Sequence, residues 1–378
     1  MKKVCVVLAS RANYGRVKYL MKAIKSHNDL ELQVILGASA LLPRFGDLRN
    51  ILKRDGFDSL KEIFYIVSGE TLLTQAKSTG LGIIELATAF EELKPDAVIT
   101  VADRFETMAT AIASTYLNIK LIHLQGGEVS GNIDDRVRHS ITKLADLHFV
   151  CTEESRKRVI SMGESPKLVF NYGCPSMDTL VHENLSISEK FKNEFIGVGE
   201  KTDFSKPYIL MLQHPVTTSY KKGFDQTMET LTALNNFDEF QKIVLWPNVD
   251  AGSNDVSKAI RTFRENEIDL SKFYFIKNLS PEDYAILLKN AICCVGNSSS
   301  FIRECSFLGV PSVIVGDRQS KREHGINAIF CEHNHSVIQE KIKSQIKKNR
   351  YKKQTIFGEG NAGVKIAQEI SKNLNKSN

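Results

Sequence analysis

The sequence predicts an α/β protein with two doubly wound domains, each built on a mostly parallel sheet. Short apolar runs alternate with longer amphipathic segments, which is the pattern of strands connected by crossover helices. This pattern stops in the polar stretch Leu185–Lys206 and restarts at Tyr208. The chain of 378 residues is long enough for two domains with separate cores. We therefore predict a first domain over residues 1–180 and a second over residues 181–362.

Apolar runs define the predicted strands. In the first half they are Val4–Leu8, Leu32–Leu36, Ala97–Val101, Lys120–His123 and Leu147–Cys151. In the second half they are Tyr208–Leu212, Ile243–Trp246, Phe273–Ile276, Ile292–Val295, Pro311–Val315 and Ala328–Phe330. Helices are predicted in the first half at Tyr14–Lys25, Ile83–Leu93, Phe105–Tyr116 and Glu153–Met162. The first run follows two lysines, as in a signal peptide, but it is too short for one and Arg11 follows at once, so a strand is favoured.

Composition and cysteine usage narrow the class of protein. Hydrophobic residues make up 42% and charged residues 25% of the chain, as in a soluble globular protein. No apolar run approaches the ~20 residues of a membrane span. Seven cysteines, an odd number with no CxxC pair, argue against a disulfide framework or a zinc site. We expect a cytoplasmic protein with no membrane partner.

The net charge of +6 comes largely from the segment Lys341–Lys353. No aromatic stacking residues accompany these lysines, so a solvated amphipathic helix is favoured over a nucleic-acid patch. We expect no nucleic-acid partner. A modest positive charge also suits an anionic substrate.

Residues 292–323 carry the most specific functional pattern. An apolar run ends at Gly296, and three serines then precede a helical pattern that contains Glu304. A buried strand that turns through Gly and Ser into a helix directs free backbone N–H groups at one spot, where anions bind. Glu304 lies where a carboxylate could accept hydrogen bonds from two ribose hydroxyls. The pattern therefore predicts a nucleoside diphosphate site.

Polar residues follow the carboxyl ends of several other predicted strands, which is the edge where open parallel sheets bind ligands. They are Arg11, Asp103, Arg104, Gln125 to Glu128, His214 and Asn248. Arg11 could clamp a diphosphate or form a surface ion pair. His214 could hold a phosphate or transfer a proton. Such groups from both halves predict one cleft between two domains.

Carboxylates follow two of the predicted strands, Ala97–Val101 and Lys120–His123, and each group has two interpretations. Asp103 could cap the following helix or act as a general acid or base. Glu128, Asp134 and Asp135 lie within one loop, where like charges would raise one another's pKa as an acid/base pair needs. The alternative is a polar loop in which Asp134 or Asp135 caps the next helix.

Several common catalytic signatures are missing from the sequence. It contains no HExxH, GxxxxGK[ST], GxSxG or paired CxxC motif. The sequence therefore lacks the usual motifs of metal-dependent hydrolysis, P-loop chemistry and serine hydrolysis. The turn after the first strand has no GxGxxG, which argues against dinucleotide binding.

An ordered set of motifs resembles one enzyme family. The motifs are SRANYG, DAVITVADRFE, LIHLQGGEVSGNIDDRVRHSITKLA, GCPS, LQHPVTT, PNVDAGS, VGNSSSFIRECSFLGVPSVIVGDRQSKRE and GEGNA. From about Val4 to Ala362 the chain resembles the hydrolysing UDP-N-acetylglucosamine 2-epimerases, which include the epimerase half of an animal bifunctional enzyme. The resemblance implies a GT-B-like fold, with two Rossmann-like domains facing a central cleft and a C-terminal helix, residues 363–378, returning to the first domain.

The family's reaction converts UDP-N-acetylglucosamine and water into N-acetylmannosamine and UDP, for sialic-type sugar synthesis. It is implied to proceed by anti elimination of UDP to 2-acetamidoglucal and then hydration. The resemblance implies neither a redox cofactor nor a metal, and homodimers are common in the family. Two alternatives remain open: the same chemistry on UDP-N,N′-diacetylbacillosamine, and a nucleotide-sugar-binding protein without catalysis.

Roles carry over by matching position in these motifs. Catalytic roles are implied for Asp103, Gln125, Glu128, Asp134 and His214. Substrate-binding roles are implied for Arg11, Arg104, Asn248, Ser298, Ser299, Glu304 and Arg318. One position departs from the family pattern, since many relatives have a proposed acid/base Glu where this chain has Gln125. Gln cannot transfer a proton in that way, so the duty could move to Glu128 or Asp103, with Gln125 orienting the acetamido group.

Overall fold

A computed structural model describes residues 1–43, 46–131, 133–216, 221–247, 250–266 and 270–376. The chain divides into two compact units. The first comprises Met1–Val129, Ile133–His182 and Phe357–Asn378, and the second comprises Ser130–Asn132 and Glu183–Ile356. Each unit contains a seven-stranded sheet flanked by helices. The predicted α/β class is confirmed.

The sheet of the first unit is parallel throughout. Its strands are β1 (Lys2–Leu8), β2 (Leu30–Gly37), β3 (Lys61–Ile63), β4 (Ala97–Val101), β5 (Lys120–Leu124), β6 (Leu147–Val150) and β7 (Val169–Asn171). They lie in the order β3-β2-β1-β4-β5-β6-β7. This is the Rossmann order, in which the direction of winding reverses between β1 and β4.

Helices cover both faces of this sheet. They are α1 (Arg11–Lys25), α2 (Arg49–Arg54), α3 (Leu72–Leu93), α4 (Phe105–Tyr116), α5 (Ile133–Leu144), α6 (Glu153–Ser161), α7 (Ser176–His182) and, at the C-terminus, α14 (Ala362–Asn375). Residues of α1 and α14 bury apolar side chains with alternate residues of β1 such as Val4 and Val6. The opposite face packs residues of α3, α4 and α5 around Cys5 and Val7.

Two contacts hold α14 in the first unit. The side chain of Asp178 accepts hydrogen bonds from the backbone N–H groups of Ala362 (3.0 Å) and Gly363 (2.7 Å), which begin α14. A Cβ atom at Gly363 would lie 2.8 Å from the backbone N of Leu20 in α1. Glycine therefore allows the two helices to pack closely, and Asp178 satisfies N–H groups that lack a partner within the helix.

The second unit repeats the architecture. Its strands are β8 (Val198–Gly199), β9 (Tyr208–Leu212), β10 (Gln241–Leu245), β11 (Phe273–Ile276), β12 (Cys293–Gly296), β13 (Ser312–Val315) and β14 (Ala328–Cys331). Their order is β14-β13-β12-β9-β10-β11-β8, and only β8 is antiparallel to its neighbour. Apart from β8 this is again the Rossmann order, with the reversal between β9 and β12.

Six helices belong to the second unit in the part of the chain that the structure describes. They are α8 (Glu189–Glu194), α9 (Gly223–Asn235), α10 (Ser253–Asn266), α11 (Pro281–Asn290), α12 (Arg303–Leu308) and α13 (His335–Lys348). Helices α9, α10 and α13 bury their apolar faces with strand residues such as Val244, Phe273 and Val295.

Every strand predicted from an apolar run is confirmed, and most of these strands are central and buried on both faces. The edge strand β14 is the exception, since only Ala328 in it is buried. The short strands β3, β7 and β8 lacked such a run and were missed. The predicted helix at Ile83 begins eleven residues earlier, at Leu72. There Thr71 and Thr74 form a reciprocal capping box that starts α3. Across the described ranges, no helix has the length and apolarity needed to cross a membrane.

Candidate active site

The predicted site residues of the first unit follow β1, β4 and β5, which are adjacent in the sheet. Ser10 after β1 caps α1 by accepting a hydrogen bond from Asn13 N (3.2 Å), which places Arg11 at the first position of the helix. Burial lowers the pKa of Arg11 to about 10. Gly46 packs directly against its guanidinium, since a Cβ atom there would lie 2.6 Å from Arg11 Nε. Arg11 is thus a partly buried cation at the switch between β1 and β4.

Asp103 forms an ion pair and does not occupy the capping position. The residue at the N-cap of α4 is Arg104, so the alternative that Asp103 caps this helix is wrong. The Asp103 carboxylate instead pairs with the guanidinium of Arg138, which is buried. Arg104 donates hydrogen bonds to the fully buried carboxylate of Glu106, from Nε to Oε2 (3.1 Å) and from Nη2 to Oε1 (3.0 Å).

Arg138 connects the acidic residues of this edge. Its Nη1 donates to Asp135 Oδ1 (2.7 Å) and to the backbone carbonyl of Glu128 (2.5 Å), while Nη2 holds Asp103. Burial alone would lower the pKa of Arg138, but the charges of Asp103 and Asp135 outweigh burial and raise it. The guanidinium therefore stays charged and fixes the carboxylate of Asp103. Arg138 was not predicted as a site residue, although its i,i+3 spacing from Asp135 was an available signal.

The Gln125–Glu128 turn follows β5. Gln125 has a φ of 64° and is buried, and its Nε2 donates to the Sγ of Cys174 (3.1 Å). Gly127 has a φ of 75°, and a Cβ atom there would lie 2.4 Å from the carbonyl of Ser155. Glu128 is buried. The glycine lets α6 approach the turn, which leaves Glu128 at the sheet edge.

Two further residues complete the first unit's edge. Asp134 is half-buried in the first turn of α5, two residues after the segment Ser130–Asn132. His123 in β5 is buried, with Nε2 2.9 Å from the carbonyl of Ala102 and Nδ1 3.2 Å from the hydroxyl of Thr142. Burial lowers the pKa of His123 to about 3, so its imidazole is neutral and structural at physiological pH.

In the second unit the predicted residues follow β9, β12 and β13, which are also adjacent. Gly296 at the end of β12 has a φ of 135°, and a Cβ atom there would lie 2.1 Å from the carbonyl of Leu212. The chain then enters a 3₁₀ turn, Ser299–Phe301, before the short helix α12. The helical pattern predicted after the serines, with Glu304 in it, corresponds to α12. The 3₁₀ turn is capped by Ser298, whose Oγ accepts from Ser300 N (3.4 Å).

Glu304 lies in the first turn of α12, just after the 3₁₀ turn Ser299–Phe301, which we call the serine turn. Its Oε2 is buried and has no hydrogen-bond partner among the described residues. A hydroxyl chain runs beside it, in which Tyr284 OH bonds the Oγ of Ser300, and Ser300 Oγ lies 2.8 Å from Ser298 Oγ. Burial raises the pKa of Tyr284, and the charge of Glu304 contributes to the same shift. A buried acceptor without a donor marks a place where a ligand hydroxyl would satisfy it.

His214 and Arg318 are tied to the same turn by Asn297. The backbone N of His214 donates to Asn297 Oδ1 (2.7 Å), and Asn297 Nδ2 donates to the carbonyl of His214 (2.8 Å). Arg318 Nη1 donates to the carbonyl of Asn297 (3.1 Å). Asn297 was not predicted as a site residue. The predicted residue Asn248 lies outside the described residues.

The structure thus collects the predicted residues at two sheet edges, one in each unit. Arg11, Asp103, Arg104, Gln125, Glu128 and Asp134 lie in the first; His214, Ser298, Ser299, Glu304 and Arg318 lie in the second. The first edge carries carboxylates together with Arg11 and Arg104. The second carries serine hydroxyls, Arg318 and the Glu304 oxygen that has no partner among the described residues. Within the ranges described above, no group of three or more His, Cys, Asp or Glu could hold a metal ion.

Comparison with solved structures identifies the fold. A *Methanocaldococcus jannaschii* UDP-GlcNAc 2-epimerase, solved in complex with UDP-GlcNAc and UDP, matches with a TM-score of 0.81 at 17% identity over 98% of this chain and 99% of that one. A *Neisseria meningitidis* UDP-GlcNAc 2-epimerase bound to UDP-GlcNAc matches with a TM-score of 0.79 at 17% identity, over 98% of this chain and 100% of that one. The predicted GT-B-like class, with two Rossmann-like units, is confirmed.

Sequence comparison finds relatives with a higher identity than these solved structures. The chain is 31% identical to a *Legionella pneumophila* UDP-N,N′-diacetylbacillosamine 2-epimerase (hydrolyzing), covering 100% of this chain and 99% of that protein. It is 29% identical to a *Neisseria meningitidis* UDP-N-acetylglucosamine 2-epimerase, covering 95% and 92%. The family model described as UDP-N-acetylglucosamine 2-epimerase matches residues 22–371. By its sequence along nearly its whole length, the chain belongs to the UDP-N-acetylglucosamine 2-epimerase family.

Proposed function

We propose that the protein is a hydrolysing 2-epimerase, which converts UDP-N-acetylglucosamine and water into N-acetylmannosamine and UDP. The observation that carries the proposal is Glu304, whose buried Oε2 has no donor among the described residues although it lies beside the serine turn. A ribose hydroxyl supplies the missing donor. Family membership supports a UDP-sugar as the ligand.

Departure of UDP builds negative charge on the diphosphate. Ser298 and Ser299 supply hydroxyl groups, and Arg318, held on the carbonyl of Asn297, supplies a cation. Donors fixed before the reaction stabilise this charge without reorganisation, and each is typically worth about 3 kcal/mol of the barrier. Ser298 and Ser299 would bind the diphosphate, while Arg11 and Arg104 are proposed as further anion-binding cations of the first unit.

The sugar chemistry needs a group that removes the proton on C2. Asp103 suits a base because Arg138 holds it as a positioned carboxylate. Loss of the C2 proton and of UDP from C1 gives 2-acetamidoglucal; water then adds at C1 while a proton returns to C2 from the opposite face. Glu128, Asp134 and His214 are proposed to handle the remaining protons, each contributing roughly 10²–10⁴-fold.

Gln125 has a different proposed role from the Glu of many relatives. Its carboxamide is buried and donates to Cys174, so it holds the Gln125–Glu128 turn in place. The acid/base duty is assigned to Asp103 and Glu128. The opposite view, a protein that binds UDP-sugars without turnover, predicts tight binding and no product.

The identity of the sugar has a second candidate. Two relatives above 30% identity, from *Legionella pneumophila* and *Campylobacter jejuni*, are described as hydrolysing epimerases of nucleotide-linked N,N′-diacetylbacillosamine. A relative described as a UDP-N-acetylglucosamine 2-epimerase, from Neisseria meningitidis, is 29% identical. We therefore propose UDP-N,N′-diacetylbacillosamine as the alternative substrate. Competition between the two nucleotide sugars in one assay would rank them by kcat/KM.

Product analysis by NMR in D₂O tests the reaction. Incubation with each UDP-sugar should release UDP and the free 2-epimeric sugar with deuterium at C2. Accumulation of the UDP-linked epimer would instead identify a non-hydrolysing epimerase. Binding of both UDP-sugars without release of UDP would contradict the proposal and favour the non-catalytic alternative.

We also propose a homodimer, in the cytoplasm, that forms through an exposed face of α3. Leu73 and Ile84 are 64% and 63% exposed on this helix, and Phe64 nearby in sequence is 64% exposed. Exposed apolar side chains on one helix face suit a protein interface, and a two-fold contact pairs the same face of both copies. Light scattering should give a dimer that Leu73→Glu with Ile84→Glu converts to a monomer, while Val364→Glu, at an exposed apolar residue of α14, leaves it dimeric. A monomeric wild type would refute the interface.

A further inference from the structure

Asn297 is a buried residue at the point where three chain segments of the second unit meet. It follows Gly296 at the end of β12 and is 1% exposed. Its backbone N donates to the carbonyl of Leu212 at the end of β9 (3.2 Å). Every backbone and side-chain polar group of Asn297 takes part in a hydrogen bond to a residue of another loop or strand.

The side chain of Asn297 hydrogen-bonds to the backbone of His214 as a neighbouring strand would. It accepts from His214 N (2.7 Å) and donates to His214 O (2.8 Å), the pair of bonds that a neighbouring backbone would make. Only a carboxamide offers both a donor and an acceptor in this geometry. The segment after β9 is therefore fixed at His214 although it has left the sheet.

The carbonyl of Asn297 fixes the third segment. It accepts from Arg318 Nη1 (3.1 Å) and from Gln319 Nε2 (3.2 Å), both in the loop after β13. Gln319 is buried, and its Oε1 accepts from Arg322 Nε (2.6 Å). The orientation of Arg318 thus depends on the carbonyl of Asn297, which belongs to the segment that leads into the serine turn.

We infer that Asn297 is a positioning residue that sets His214, the serine turn and Arg318 in register for UDP departure. The inference rests on the proposed function, because that function makes these three groups a single site. Asn297 itself uses its polar groups within the protein, so it acts through its neighbours. A displacement of about 1 Å in such a site costs roughly 100-fold in rate.

The test compares Asn297→Asp with Gln345→Glu. Gln345 of α13 is a matched control because its carboxamide is also buried in the second unit and donates to two backbone carbonyls, Ser312 O (3.0 Å) and Asn327 O (2.8 Å). Both carbonyls lie at the amino ends of β13 and β14, whereas the proposed site residues follow the carboxyl ends of their strands. Asn297→Asp should lower kcat/KM about 100-fold and UDP affinity measured by calorimetry about tenfold. Gln345→Glu should lose stability with both constants within about threefold of the wild type. Equal losses in the two variants, or near-normal constants in Asn297→Asp, would overturn the inference.

A measurement on the wild type keeps the inference testable if Asn297→Asp does not fold. The amide hydrogen of His214, followed by NMR without nucleotide, should exchange at least about 100-fold more slowly than in an unstructured peptide. Faster exchange would show that the hydrogen bonds between Asn297 and His214 are not formed and would overturn the inference. Should the wild type bind UDP but release no sugar, the proposed reaction fails, while UDP affinity and amide exchange still decide the role of Asn297.

Discussion

Arg138 and Asp103 form a buried ion pair that joins α5 to the end of β4. The guanidinium is 1% exposed at its side chain and the carboxylate 14%, so the pair is largely shielded from water. Asp135 shares the same guanidinium. The proposed function makes Asp103 the base of the elimination, and the two aspartates on one arginine allow a direct test of that proposal.

Asp103→Asn should separate catalysis from structure. If Asp103 removes the C2 proton, kcat should fall about 10²–10⁴-fold while the affinity for UDP stays near normal. Asp135→Asn is the control, because it weakens the same arginine contact without removing the proposed base. Steady-state kinetics and calorimetry with UDP make the comparison. A similar loss of kcat in both variants would assign Asp103 a purely structural role.

Arg138→Gln should destabilise the first unit. Removing one partner of a buried ion pair leaves uncompensated charge and costs about 3–5 kcal/mol. Arg136→Gln, at an exposed arginine of the same helix, should stay within about 0.5 kcal/mol of the wild type. Urea unfolding measures both. A loss below about 1 kcal/mol for Arg138→Gln would contradict the shielded ion pair described here.

The sequence predicts the strand ends at which these residues lie. It does not predict which residues they contact. Buried parallel strands are continuous apolar runs, so β1, β4, β9 and β12 could be located, and with them the edge that carries polar residues. The Arg138–Asp103 pair spans 35 residues and the Asn297–His214 contact spans 83. Such contacts depend on strand order and helix rotation, which no local pattern records.

Gln125 shows a second limit of the sequence. Its position after β5 and before two glycines identified it as a site residue, and resemblance suggested a chemical role. Its side chain donates to Cys174, which lies 49 residues away in the chain, and a positive φ turns its backbone. The sequence marked the turn as special, but the contact with Cys174, on which the proposed role of Gln125 in holding the turn rests, depends on the tertiary fold.

Glu106→Gln should impair substrate binding through Arg104. The fully buried Glu106 carboxylate orients the Arg104 guanidinium with two charge-assisted hydrogen bonds. A neutral amide weakens them, so KM for the UDP-sugar should rise about tenfold, which corresponds to about 1.4 kcal/mol. Glu85→Gln, at an exposed glutamate of α3, is the control. A less stable Glu106→Gln variant with unchanged KM would mean that Arg104 does not contact the substrate.

Glu304→Ala should abolish the preference for ribose over deoxyribose. In the wild type, UDP should bind more tightly than 2′-deoxy-UDP, because the Glu304 carboxylate would accept a hydrogen bond from the 2′-hydroxyl. Hydrogen bonds to charged groups contribute about 1.5–3 kcal/mol, so UDP affinity should fall at least about tenfold in the variant, which has no acceptor at this position. Calorimetry with both nucleotides measures the preference, and Glu332→Ala at an exposed site is the control. A variant that still discriminates between them would remove Glu304 from the ribose site.

His123 should make the folded state sensitive to acid. Its pKa is lowered to about 3 in the folded protein from an ordinary value of 6.5, chiefly by burial. Between these values the unfolded chain binds a proton that the folded protein does not. The stability that His123 contributes is therefore complete above pH 6.5 and is lost as the pH falls towards 3, by up to about 1.4 kcal/mol per pH unit.

His123→Gln removes this titration but keeps a donor near the carbonyl of Ala102, which lies 2.9 Å from His123 Nε2. Urea unfolding at several pH values should show the wild type losing about 2 kcal/mol relative to the variant between pH 7 and pH 5. Above pH 7 the two stability curves should run parallel, because His123 is neutral in both the folded and the unfolded wild type there, and this range serves as the internal control. Parallel curves between pH 7 and pH 5 as well would mean that His123 takes up a proton as readily in the folded protein as in the unfolded chain, and would contradict the prediction.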